Sequence, residues 1–204
     1  MKKIICEGIL FLLLGGCAVQ HQPQTREEWL NTTTRSYSGV TKDQVLSATE
    51  KLFRLADGND FVIVHTEEGM QATRPWTVYL VLAAAMGTDY WTVRASQSGE
   101  VVKVSAQVNI QAQSVTPMPT TSSGTWTAGT MPMAGSPVVG TAIYDVFWAR
   151  MDYLLGKTDV WMTCEKANNR VNEGVTWGSN ECLCNSFNMK DELPEKLAAA
   201  KREP

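Results

Sequence analysis

Three groups of residues in this 204-residue chain could do chemistry: cysteines at 164, 182 and 184, a pair of histidines, and methionines gathered around a tryptophan. A bridge from Cys164 to Cys182 or to Cys184 would pin an irregular tail to the end of a helix. The chain-entropy estimate for such a loop is about 3 kcal/mol. The alternative is a tetrahedral soft-metal site at Cys182-Leu183-Cys184, which needs another His or Cys close by, and the neighbouring sequence supplies none. The bridge is therefore the expectation, and neither metal nor redox chemistry is. Met118, Met131 and Met133, with Trp126 between them, place thioethers and an indole in one segment. Thioethers favour Cu(I), yet no histidine accompanies them, so an adaptable contact surface is preferred. Trp177, also in a loop, is a further interaction candidate.

The histidines give little support to acid–base catalysis. His21 stands in a polar stretch, and His65 ends an apolar strand beside Thr66-Glu67-Glu68. A lone strand histidine without a nucleophile or an oriented carboxylate does not define a base. Glu67-Glu68 and Asp191-Glu192 read as solvated charges. Gly-x-Ser-x-Gly, His-Glu-x-x-His and a phosphate-binding glycine loop are all absent from the sequence, so neither an enzyme nor a cofactor site is expected. The formal charge of −3 makes nucleic acid an unfavoured partner.

At the N-terminus Lys2-Lys3 precede an apolar run from Gly8 to Leu14, which ends at Gly15-Gly16-Cys17. A run of about seven apolar residues is far short of the roughly 20 that span a bilayer, so residues 1–16 read as a cleaved secretory signal. Leu14-Gly15-Gly16-Cys17 resembles the lipobox of bacterial lipoproteins. The resemblance implies cleavage before Cys17, a diacylglycerol and usually a further acyl chain on that residue, and an exported domain. In that family an Ala at the next position, here Ala18, implies the outer membrane, with the domain expected on the periplasmic side. Several acyl chains make such an anchor effectively permanent. The expected partners are then the membrane, through the lipid, and an envelope protein.

The elements that must position these residues follow from periodicity. Residues 17–35 lack an apolar pattern and are expected to be a tether, with Trp29-Leu30 a possible docking point. Thr41-x-x-Gln44 is a capping box, and Val45, Ala48/Thr49 and Leu52 recur at helical spacing up to Asp57-Gly58, predicting a helix over 42–56. The period then turns to alternation, predicting strands at 61–65, 70–83 with a break at Pro75, 89–97, and 102–113, where Val102, Val104, Ala106 and Val108 share one face. Residues 114–140, rich in Pro, Thr, Ser, Gly and Met and free of charge, are expected to be a long loop. Ile143, Phe147, Met151 and Leu154 predict a second helix, 159–164 a last strand, and 194–201 a terminal helix.

This order predicts an α+β domain over 36–193: an antiparallel meander of about four or five strands with two helices on one face, and a tail at 194–204. It is similar in outline to the α+β modules of outer-membrane assembly lipoproteins of the BamC kind and to helix-grip folds, an analogy of topology alone. The function expected is a membrane-anchored binding or accessory component of an envelope assembly. The alternative is a carrier of an apolar ligand between helix and sheet.

Overall fold

The capping pattern at Thr41 closes as its spacing predicts. The Thr41 N–H donates to Gln44 Oε1 at 2.8 Å and the Gln44 N–H to Thr41 Oγ1 at 3.2 Å. Helix α2 (Lys42–Ala56) follows and buries Val45, Ala48, Thr49, Leu52 and Phe53. Its neighbours in the chain are α1 (Arg26–Thr33) and β1 (Thr34–Ser38) before it, and β2 (Val62–Thr66), β3 (Gly69–Leu80), β4 (Ala83–Ser98) and β5 (Val101–Pro119) after it. Then come β6 (Trp126–Pro132), β7 (Ser136–Pro137), α3 (Thr141–Leu154) and α4 (Cys164–Asn172). This computed structural model describes residues 24–56, 61–80, 83–119, 126–132 and 135–184. Cys17, Met133, the signal-like segment and the proposed helix at 194–201 lie outside them.

The fold is α+β. One antiparallel sheet runs in the order β1-β5-β4-β3-β2, and both β6 and β7 pair with β5. The edge of β5 that β4 leaves free is shared in succession: β1 lies along Val101–Ser105, β7 along Asn109–Ile110 and β6 along Gln113–Pro119. Alternation along β5 holds as expected, with Val102, Val104, Ala106 and Val108 fully buried against the helices. Between sheet and helices, Phe53, Phe61, Trp91, Tyr144 and Phe147 form a continuous aromatic layer with centroids 4.9 to 6.4 Å apart. Helix α3 carries the predicted stripe of Ile143, Phe147 and Met151, but Ala142, Tyr144, Val146, Trp148 and Arg150 are buried too. It lies beneath α1, α2 and α4 as well as beside the sheet, so only a narrow part of its surface meets water.

Three expectations need correction. Residues 26–35 are not tether: Thr25 and Glu28 form a reciprocal cap, α1 follows, and Trp29 packs edge-on against Tyr144 with centroids 5.6 Å apart. The segment is strapped along α3, where Trp148 Nε1 donates to Thr32 O at 2.7 Å and Arg35 and Tyr37 both bond Asp152. Residues 114–140 are not one loop, because β5 runs on to Pro119 and β6 returns along it. The expected strand at 159–164 is absent. Thr163 instead caps α4, its hydroxyl accepting from the Lys166 N–H at 3.1 Å.

Candidate functional site

Two hairpins leave the body together. Up to Arg74, Asp89 and Val108 the strands lie under the helices; beyond those residues, β3, β4, β5 and β6 continue side by side as a four-stranded arm. From Pro75 to Tyr79, Ala84 to Thr88 and Gln111 to Gln113 not one residue is buried. At about 3.3 Å per residue, Gln111–Pro119 carries β5 about 30 Å past the body. Pro75 sits where β2 has just ended its pairing at Thr73 and β3 becomes an edge, a position that tolerates a residue without an N–H.

A buried ion pair marks the base. Arg74 Nη2 donates to Asp89 Oδ2 at 2.8 Å, with side chains 8% and 2% exposed. Trp76 Nε1 donates to Asp89 Oδ1 at 3.0 Å, and Arg74 also reaches the carbonyl of Glu181 at 3.1 Å. The Trp76 indole crosses the strand opposite Gly87, where a Cβ would come within 2.5 Å of both the ring and the Gln111 carbonyl oxygen. Glycine at 87 is what lets the indole lie there.

The cysteines lie just behind this base. Cys164 bonds Cys184 with Cα atoms 5.5 Å apart, choosing between the two partners the sequence allowed. Cys182 stays a buried thiol beside Asp89, and burial first, then that carboxylate, push its pKa well above the ordinary thiol value. Arg150, itself buried, donates to Met162 O and Leu183 O at 3.1 Å and to Cys164 Sγ at 3.2 Å, and lies over the Trp161 ring. The bridge and Arg150 together fix the segment 180–184 on which Arg74 leans.

The methionines and tryptophans divide. Met118 pairs with Thr127, Met131 with Ser114 and Trp126 with Pro119, so three of the interaction candidates fall on the arm. The register separates Met118 from Met131 by four positions along β5, about 13 Å, and Met133 lies outside the described residues. Trp177 is elsewhere. Its N–H donates to Thr141 Oγ1 at 3.1 Å and its carbonyl accepts from Ala142 at 2.9 Å, closing the start of α3. His65 is on the far edge strand, where Nε2 lies 3.0 Å from Glu50 Oε2. Glu50 also accepts from Arg54, which holds its carboxyl below the usual range.

The chain matches no family model, no curated protein and no solved structure. Site geometry therefore stands alone. Sequence reasoning missed half of the arm, although its signal is plain: no charged residue occurs from Pro75 to Thr88 or from Val104 to Tyr144. Among the described residues no helix is long and apolar enough to cross a membrane.

Proposed function

We propose that this chain is a lipid-anchored envelope protein that acts by binding, as an accessory component of an envelope assembly, with the arm as its contact surface. Cys17 holds the lipid and the outer membrane is the compartment the lipobox implies. The observation that carries the reading is the uncharged four-stranded arm left uncovered by the helical layer. A strand edge offers a row of backbone donors and acceptors to a partner, and here charge does not blunt it, although Pro75 interrupts the β3 edge. Against the carrier reading, Phe53, Phe61, Trp91 and Phe147 pack together between helices and sheet, where an apolar ligand would be held.

The test is crosslinking of the full lipidated protein in its native envelope, beside a version with residues 116–132 replaced by a short turn. A defined set of crosslinked species that disappears with the arm supports the proposal. Identical patterns from the two versions, or no crosslinked species at all, would refute it.

A further inference from the structure

A buried cation touches both sulfurs of the bridge behind the arm. Arg150, on α3 and 1% exposed, donates through Nη2 to Cys164 Sγ at 3.2 Å and lies 3.5 Å from Cys184 Sγ. A guanidinium in that place has little to gain from a neutral disulfide and much to gain from a thiolate, because a charge-assisted contact is far stronger in a dry interior. Cys164 is also the first residue of α4, where the positive end of the helix dipole acts in the same direction. Cysteines beside arginine or at a helix start ionise well below the free thiol. The spacing of the cysteines gives no sign of this, since the cation comes from a helix that spacing does not connect to them.

The third cysteine has the opposite surroundings. Cys182 is as deeply buried on the same turn but faces Asp89, and burial first, then that carboxylate, push its pKa up. It therefore stays a thiol at neutral pH and is a poor nucleophile toward its neighbour's bridge. The other charges close to the cysteines stand apart from the sulfurs: Glu165, Lys166 and Glu181 are exposed, and Arg74 pairs with Asp89. One pair of sulfurs is thus set against a cation and the remaining one against an anion.

We infer that Cys164–Cys184 is an exchangeable bridge, opened by a reduced dithiol, with Arg150 holding Cys164 as the leaving thiolate. A thiolate of the dithiol bonds Cys184 Sγ as the bond between the two cysteine sulfurs breaks, and the electron pair departs on Cys164 Sγ beside the guanidinium. The second thiol of the dithiol then attacks its own partner sulfur in the mixed disulfide, and Cys184 leaves with that thiol's proton. The bridge has gained two electrons and the dithiol has become a disulfide. A leaving thiol of low pKa departs faster, and a stabilised reduced form makes the bridge more oxidising. Cys164 and Cys184 are 6% and 3% exposed, so attack follows local opening of the turn 180–184, which closes through the Leu183 and Cys184 N–H groups donating to Asn180 O at 3.0 and 2.8 Å. The same turn offers the Glu181 carbonyl to Arg74, so reduction loosens the base of the arm. None of this depends on the anchor or on what the arm binds.

The experiment equilibrates the full chain with graded ratios of reduced to oxidised dithiothreitol at neutral pH, quenches with acid, and reads Cys164 and Cys184 by alkylation and peptide mass spectrometry. Arg150→Met removes the cation and Arg150→Lys keeps it. If Arg150 only braced the turn, its loss would make the bridge easier to open. The expected result is the reverse: Arg150→Met needs about tenfold more reductant, the equivalent of one pKa unit on the leaving thiol, and Arg150→Lys stays near the parent. The reduced parent gives a second measurement that needs no variant. Its Cys164 should react with iodoacetamide with a pH midpoint well below that of free cysteine measured alongside. A bridge in Arg150→Met that opens as easily as the parent's or more easily, or a Cys164 midpoint at or above that of free cysteine, would each overturn the inference.

Discussion

Asp89 ties the arm to the body at a single carboxylate, accepting from Arg74 and Trp76 while almost wholly out of water. Removing one member of a buried ion pair strands the other, at a cost of about 3 to 5 kcal/mol. Asp89→Ala should therefore lower the urea unfolding midpoint by that equivalent, and Arg74→Met combined with Asp89→Leu should lose much less. A double variant as unstable as Asp89→Ala would show that Arg74 is satisfied elsewhere. Nearby Cys182 sets a limit at alkaline pH. Its thiol ionises above the ordinary 9.0 in the folded state because burial opposes the thiolate, and burial likewise pushes the Tyr144 hydroxyl from 10.0 up to about 12. A pKa raised on folding contributes stability that is complete below the unfolded value and is lost as pH climbs toward the folded one. Unfolding free energy should thus hold level up to about pH 9 and then fall. In Cys182→Ala the fall should begin about one unit later, at the tyrosines. An unchanged onset in a chemical-denaturation series across pH 7 to 11 would remove Cys182 as its cause.

Among the elements, α1 shows how a short helix can be essential to placement without an apolar face of its own. Thr25 and Glu28 cap it reciprocally and Trp29 alone packs on Tyr144, so Thr25→Ala should cost about 1 kcal/mol. Limited proteolysis should then cut within 24–35 in Thr25→Ala before it cuts the body, and equal cutting rates in variant and parent would oppose that role. The arm's own test is Gly87→Val, whose side chain would strike the Trp76 indole and the β5 backbone. Amide exchange should rise through 75–88 and 111–119 while α2 and α3 stay protected. Such contrasts explain which elements the sequence made legible. The period of α2 and of β5 up to Val108 is written by burial on one face, so Val45, Leu52, Val102 and Val104 announced it. Past Val108 no helix among the described residues covers the sheet, and without a core to face, Thr127, Gly129 and Pro132 of β6 keep no alternation to read. The helix α1 was legible only through its cap, since REEWLNTT has no stripe, and α4 only through Thr163. Which cysteine bonds Cys164 depended on a chain path that spacing does not encode.

Across the whole molecule, both ends of the described chain are straps laid over the helical layer, and they control different things. The N-terminal strap fixes where the described chain enters the body, through Trp29, Thr32 and Arg35. The C-terminal strap, from Asn180 to Cys184, presses against the base of the arm through Glu181 and is locked behind by Cys164–Cys184 and Arg150. With the two cysteines 20 positions apart, chain entropy assigns the bridge about 3 kcal/mol. In a body of this size that corresponds to roughly 6 to 12 °C in melting temperature. Cys164→Ser with Cys184→Ser should show that loss, and its distribution is the informative part. The aromatic layer joining α2, α3 and the sheet does not run through the bridge, so amide protection there should persist. Protection at Arg74, Trp76 and Asp89 should fall, because the carbonyl that steadies Arg74 is freed. Uniform loss over the sheet would instead mean that arm and body unfold as one unit, and that the bridge supports the whole core rather than the base of the arm.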